Sequence, residues 1–206
     1  MKTAALGAAL LAALAAANPI DVRQASGCKA VTVLFARGTT ELGTLGTIVG
    51  PGFQRSLQSA LGADSVTFEG VSYPADSFGI SAEAIGSGPG SVAMASQAGQ
   101  WLSKCPDTKL VITGYSQGGM VVHNAAKKLG GKGVVAAVTF GDPYKGQSVS
   151  GVAAGSFKSF CAVGDSVCFA GGCASAGGCG SKSLYGHLGY GSDVSDAAAF
   201  VKSVMA

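Results

Sequence analysis

Charge is scarce in this sequence. Only 12% of its 206 residues are Asp, Glu, Lys or Arg, and the formal net charge is +3. With no basic cluster and no aromatic stripe, a nucleic-acid footprint is excluded. Histidine is scarcer still: the chain holds two, and none of its cysteines has C-x-x-C spacing. That removes the common zinc frameworks, so neither a metal nor another cofactor is expected. No Asn-x-Ser/Thr triplet occurs, since Asn18 precedes Pro19 and Asn124 precedes Ala125-Ala126. N-linked glycosylation is therefore not expected. Beyond the first residues no apolar run is long enough to cross a bilayer. There is no internal repeat, and no linker-like stretch divides the chain.

What the chain has in quantity is apolar surface and glycine. Apolar residues make up 48% of it, and 33 residues are glycine, which suits a sizeable core with many tight turns. Lys2 precedes an Ala/Leu run that ends in Ala15-Ala16-Ala17. A charged start, a short apolar middle and small residues at the end read as a secretory signal peptide over residues 1–17. Residues 18–26 read as a leader or short pro-segment, and 27–206 as one domain. Six cysteines follow the signal peptide, at 28, 105, 161, 168, 173 and 179. In a secreted chain an even count reads as three disulfides, with fifteen pairings open.

Short β-branched runs alternate with helical stretches. Strands are expected at 30–36 (AVTVLFA), 66–73, 110–115, 134–140 (VVAAVTF) and 157–163. Helices are expected at 52–61, 91–104, 120–129 and 193–205, with a loop over 76–90. This alternation predicts a three-layer α/β/α sandwich around a five-stranded parallel sheet.

The third strand runs into Gly114-Tyr115-Ser116-Gln117-Gly118. Strand, G-x-S-x-G, helix is the context of a nucleophile elbow, in which a tight turn presents the serine at the top of the sheet. Without that context the serine would be a helix cap. A serine hydroxyl needs a base. His123 sits on the following helix and precedes every plausible acid. His187 lies late, in a loop, and fits the chain order Ser, Asp, His of such elbows. His187 is the expected base. The acid should come from a strand end: Asp142 follows the fourth strand and Asp165 the fifth. Asp142, before Pro143, can equally cap a turn. Asp165 lies between Cys161 and Cys168, which are close enough to staple its turn, and is preferred. The oxyanion donors expected are the backbone N–H of Gln117 and the loop at Gly38-Thr39.

Ala36-Arg37-Gly38-Thr39-Thr40-Glu41, Gly114-Tyr115-Ser116-Gln117-Gly118, Cys161-x-x-x-Asp165-x-x-Cys168 and His187-Leu188-Gly189-Tyr190-Gly191, in this order, resemble fungal cutinases. The wider family includes acetylxylan esterases and mycobacterial cutinase-like esterases. The resemblance runs from Cys28 to the C-terminus. It implies a small lidless α/β-hydrolase, secretion and a serine esterase mechanism. Ser116, Asp165 and His187 match the triad, and Thr39 and Gln117 the oxyanion hole. Cys28 would pair with Cys105, and Cys161 with Cys168. Cys173 and Cys179 are additional to the usual two bridges and are expected to pair before His187. The stretch from Pro74 to Gly90 departs from the usual cutinase loop, and Gly141-Asp142-Pro143 leans toward the acetylxylan esterase branch.

The expected activity is hydrolysis of carboxylic esters, cutin first, by a monomer acting on insoluble polyester or small esters. Acetylxylan or another short-chain ester is the alternative substrate. Phe78, Leu184 and Leu188 are the expected acyl-chain contacts. A secreted, disulfide-rich surface or binding protein without activity is the alternative from another class.

Overall fold

Val31–Ala36 is buried at every position. A strand sealed on both faces reads as a continuous apolar run rather than an alternation, and this one forms the inner strand β1. The chain was described through a computed structural model covering residues 27–169 and 180–206. After β1 come α1 (Gly50–Leu61), β2 (Val66–Gly70), α2 (Ser77–Ala84), α3 (Pro89–Lys104) and β3 (Lys109–Tyr115). Then follow α4 (Gln117–Leu129), β4 (Val134–Phe140), β5 (Phe157–Phe160), the single turn α5 (Ser166–Phe169) and α6 (Val194–Met205).

The five strands are parallel, in the order β2-β1-β3-β4-β5. This is the expected α/β sandwich. On one face Val33 and Phe35 of β1 meet Phe53 and Leu57 of α1 and Val201 of α6. On the other, Leu34 and Ala36 meet Met94 and Ala98 of α3 and Val121 and Val122 of α4. A chain of rings runs through the first face. Phe53 meets Phe68 and Phe140 edge-on, and Phe140 stacks on Phe160 at 5.2 Å. Each buried Phe is worth about 1.5–3 kcal/mol by burial alone. The strand order reverses between β1 and β3, so the crevice beyond their C-terminal ends is where such sheets place a ligand.

Four differences from expectation bear on the site. β2 stops at Gly70 and β5 at Phe160, because the residues beyond them leave the sheet for loops around the site. Helix α4 begins at Gln117, directly after the elbow. Residues 76–90 are not one loop but hold α2 and the first turn of α3. Local composition, rich in Gly and Ser, disguises them. Their support is tertiary and side-chain mediated: Asp76 caps the Gly79 amide at 2.7 Å, and buried Glu83 accepts from the Ser91 amide and from Asn124 of α4.

Cys28 and Cys105 are bonded, 77 residues apart, tying the entry of β1 to the end of α3. Constraining the unfolded chain over that span is worth roughly 4–5 kcal/mol in the chain-entropy picture. No helix among the described residues is long and apolar enough to cross a membrane. Residues 1–26, with the expected signal peptide and leader, and the expected pair Cys173–Cys179 lie outside the described residues.

Replacing both Cys28 and Cys105 by serine should lower stability by about 3–5 kcal/mol. A denaturant midpoint measured with and without the bridge checks this, and ester hydrolysis by the folded fraction should be unchanged.

Candidate active site

The site is assembled at the end of β3. Ser116 has φ 56° and ψ −119°, a conformation that non-glycine residues rarely hold and that neighbouring structure must enforce. The enforcement is a close approach. A Cβ on Gly114 would overlap the Gly118 carbonyl, and one on Gly118 would overlap the carbonyl of Ala36 at the end of β1. The Ser116 amide donates to Phe140 O at 2.8 Å, which fixes the turn to β4. The serine is left half-exposed at the N-terminus of α4.

His187 stands on a turn of 3₁₀ helix, Gly186–Leu188. Its Nε2 is 2.8 Å from Ser116 Oγ, and its Nδ1 is 2.8 Å from Asp165 Oδ2. A carboxylate accepts only, so Nδ1 carries the proton and the Nε2 lone pair faces the serine hydroxyl. The ring is held on two sides. It lies 5.2 Å from the Tyr115 ring, whose hydroxyl donates to the His187 carbonyl at 2.9 Å. Opposite lies Gly141, with φ 55°, where a Cβ would come within 2.8 Å of both the His187 and Tyr190 rings.

Asp165 sits in the turn closed by the Cys161–Cys168 bond, seven residues apart. Its Oδ1 accepts from the Val167 amide at 2.8 Å, and its Oδ2 also accepts from the Tyr190 hydroxyl. Burial pushes this carboxyl up, but the hydrogen bonds from Tyr190, His187 and Val167 outweigh burial and hold it below the ordinary carboxylate range. Asp165 is therefore charged beside His187, as an orienting carboxylate must be.

Asp142, the other candidate acid, is engaged elsewhere. Fully buried, it lies 2.9 Å from Nε2 of the equally buried His123 and accepts from the Tyr144 amide. The two histidines and the two strand-end aspartates thus sort into separate pairs, one sealed in the core and one open at the cleft.

Around the serine, the loop after β1 folds back. The Thr39 hydroxyl donates to Gln117 Oε1 at 3.1 Å, and Gln117 Nε2 donates to the Asp76 carbonyl at 3.2 Å. One buried amide side chain therefore ties the β1 loop, the elbow and the start of α2 together. As the first residue of α4, Gln117 has a backbone N–H without an intrahelical acceptor. Two residues of the quoted motifs do more than their pattern suggested. The Glu41 carboxylate accepts from the amides of Gly38, Thr47 and Ile48 at 2.7–2.9 Å. Arg37, nearly buried, donates to the carbonyls of Glu41, Tyr73 and Pro74. Both shape the β1 loop, and both were visible only as letters adjoining Gly38-Thr39.

The three expected acyl contacts are exposed: Phe78 at 83%, Leu184 at 84% and Leu188 at 70%. Leu42, Val163 and Tyr185 are exposed as well, and reading the sequence for motifs overlooked them. They stand on the loops that carry Thr39, Asp165 and His187.

The sequence profile of the family described as Cutinase matches residues 27–205. The chain belongs to the cutinase family. It is a carboxylic ester hydrolase. A cutinase of Botryotinia fuckeliana is 50% identical over 98% of this chain and 98% of its own length. The structure of a Trichoderma reesei cutinase, in complex with a phosphonate inhibitor, superposes with a TM-score of 0.74. It is 42% identical, over 87% of this chain and 78% of that one. An acetylxylan esterase structure is 28% identical with a TM-score of 0.63, over 87% of this chain and all of its own.

Two outcomes follow for this cutinase-family chain. Gln117→Ala removes the side-chain tie but keeps the backbone N–H, and kcat/KM should fall about 10- to 100-fold through misplacement of the β1 loop, read with a soluble ester. The lowered Asp165 value sets a sign for stability. A carboxyl with a lower value folded than unfolded contributes above its unfolded value and loses that contribution as pH falls through the folded one. The melting temperature should therefore drop on acidification below about pH 4, and Asp165→Asn should flatten that drop in melting curves taken at stepped pH.

Proposed function

We propose that this chain is an extracellular serine esterase that hydrolyses cutin through an acyl-enzyme. Ser116 is the nucleophile, His187 the general base and acid, and Asp165 the carboxylate that orients the imidazole. The observation that carries the reading is the unbroken line of hydrogen bonds from Ser116 Oγ through His187 to Asp165. His187 takes the Ser116 proton as Oγ attacks the ester carbonyl. The backbone N–H of Gln117 and the Thr39 hydroxyl, its proton turned from Gln117 Oε1 to the substrate, bind the oxyanion of the tetrahedral intermediate. His187 then passes the proton to the leaving alcohol, and a water molecule repeats the sequence to release the acid.

The substrate class rests on surface character. A partly exposed serine, with Phe78, Leu42, Val163, Leu184, Tyr185 and Leu188 exposed on the segments that carry or adjoin the site residues, suits a flat, insoluble aliphatic polyester. The family relatives named cutinases point the same way. The signal-like residues 1–17 and the two bridges favour an oxidising, extracellular setting, where the enzyme works as a monomer. Acetylxylan esterase is the second reading, favoured by the likeness to that enzyme along the whole of its chain. An inactive surface protein of the same fold is disfavoured by a serine held in a strained turn against its histidine.

Ser116→Ala should abolish hydrolysis of p-nitrophenyl butyrate and covalent capture of a phosphonate while leaving the melting temperature nearly unchanged. Near-full activity in that variant would sink the mechanism. Thr39→Val should cost about 100- to 1000-fold in kcat if its hydroxyl serves the oxyanion. Rates on acetyl, butyryl and longer esters, beside acetylated xylan and cutin, separate the two substrates: faster release of acetate from xylan than of monomers from cutin would favour the second.

A further inference from the structure

Tyr190 is fully buried, with its ring edge-on to Phe140 at 6.3 Å and to His187 at 6.2 Å. The hydroxyl leaves this apolar packing and enters the turn closed by Cys161 and Cys168. There it accepts from the Ala162 amide at 2.9 Å, lies 3.4 Å from Cys168 Sγ, and donates to Asp165 Oδ2. A disulfide sulfur has no proton to give, and the Ala162 N–H occupies one side of the oxygen. The hydroxyl proton therefore has one good acceptor, which is Asp165. That oxygen is the one holding Nδ1 of His187. Burial, then Asp165 itself, push the phenol far above its ordinary value, so it stays a donor across the working range.

We propose that Tyr190 is a positioning residue of the ester hydrolysis: by donating to the Asp165 oxygen that holds His187, its hydroxyl limits how tightly the imidazolium is held and sets the pH at which turnover fails on the acid side. The proposal rests on the reading of Ser116, His187 and Asp165 as the triad. Two donors on one carboxylate oxygen share its charge. With the phenol gone, Asp165 presents more of that charge to His187, and the protonated, inactive form persists to higher pH. The carboxylate also gains freedom to turn away from Nδ1. Because Tyr190 is buried beneath the cleft, substrate binding has no contact to lose.

Other groups face this cluster. Tyr115 of β3 donates to the His187 carbonyl, and Lys145 Nζ lies 3.1 Å from Cys161 Sγ. Asp193, at the start of α6, is bonded to Ser181 and Lys182, and Glu41 is held by three amides of the β1 loop. The Asp165 carboxylate bonds instead to Val167, His187 and Tyr190, and the other groups remain in place when the Tyr190 hydroxyl is changed.

The test is the pH dependence of kcat and KM on p-nitrophenyl butyrate for the full chain. Tyr190→Phe should move the acid limb up by about one pH unit, with kcat lowered about tenfold near that limb and KM kept within about twofold. Replacing Tyr190 by 3,5-difluorotyrosine, a stronger donor that keeps the Ala162 bond, should move the limb down. If Tyr190→Phe does not fold, the fluorinated variant alone decides. A limb that stays in place while only the melting temperature falls assigns Tyr190 to packing and overturns the proposal. His187→Ala separates the two failures. If it keeps the wild-type profile, the triad reading fails. If it is inactive while the Tyr190 variants keep the wild-type limb, the triad stands and only the role of Tyr190 fails.

Discussion

Gly118 packs so tightly on the carbonyl of Ala36 that no side chain fits between them. That contact joins the N-terminus of α4 to the C-terminus of β1, across the point where the strand order reverses. Everything in the site is referred to it. It bends Ser116 into a backbone conformation that costs of order 1–3 kcal/mol and persists only when over-determined. It also brings Gln117 beside the loop that carries Thr39. The surrounding bonds from Glu41 and Arg37 then stiffen that loop. The strain is local, and the core that sustains it is the two-faced sheet beneath.

The sheet was largely legible in the residues. Runs such as Val31–Ala36 and Val134–Phe140 are too short and too β-branched for buried helices, and their spacing leaves room for crossovers. Ser116 was legible because its constraint is local: two glycines and a strand within five residues. His187 and Asp165 were reached by chain order and by the cysteines bracketing the acid. What stayed hidden depends on contacts between distant residues. Nothing near Tyr190 announces that its hydroxyl meets a carboxylate 25 residues earlier. Helix α2 escaped notice because its cap and its buried Glu83 take their partners from α3 and α4. Asp142 stayed a rival to Asp165 until His123 was seen to occupy it.

The two histidine–aspartate pairs make an instructive contrast. Their separations are nearly equal, at 2.9 and 2.8 Å. His123 and Asp142 have fully buried side chains, and His123 Nδ1 has no hydrogen-bond partner among the described residues. His187 is 25% exposed and turns its second nitrogen to Ser116. The same two residue types thus form a strut between α4 and the loop after β4 in one place and the proposed proton carrier with its carboxylate in the other. What separates them is that one imidazole turns its second nitrogen to the Ser116 hydroxyl in a partly open site, while the other is packed edge-on by the rings of Tyr144 and Phe157.

The exposed apolar rim carries a kinetic consequence. Six large apolar side chains on the segments that carry or adjoin the site are exposed among the described residues, so the molecule gains by adsorbing wherever an apolar surface is offered. On an insoluble ester the effective reactant is then not a dissolved molecule but a patch of area that one protein covers. Turnover would saturate with added enzyme once the area is tiled, rather than with added substrate. Grinding the solid finer would raise the ceiling without any change in the chemistry of ester cleavage.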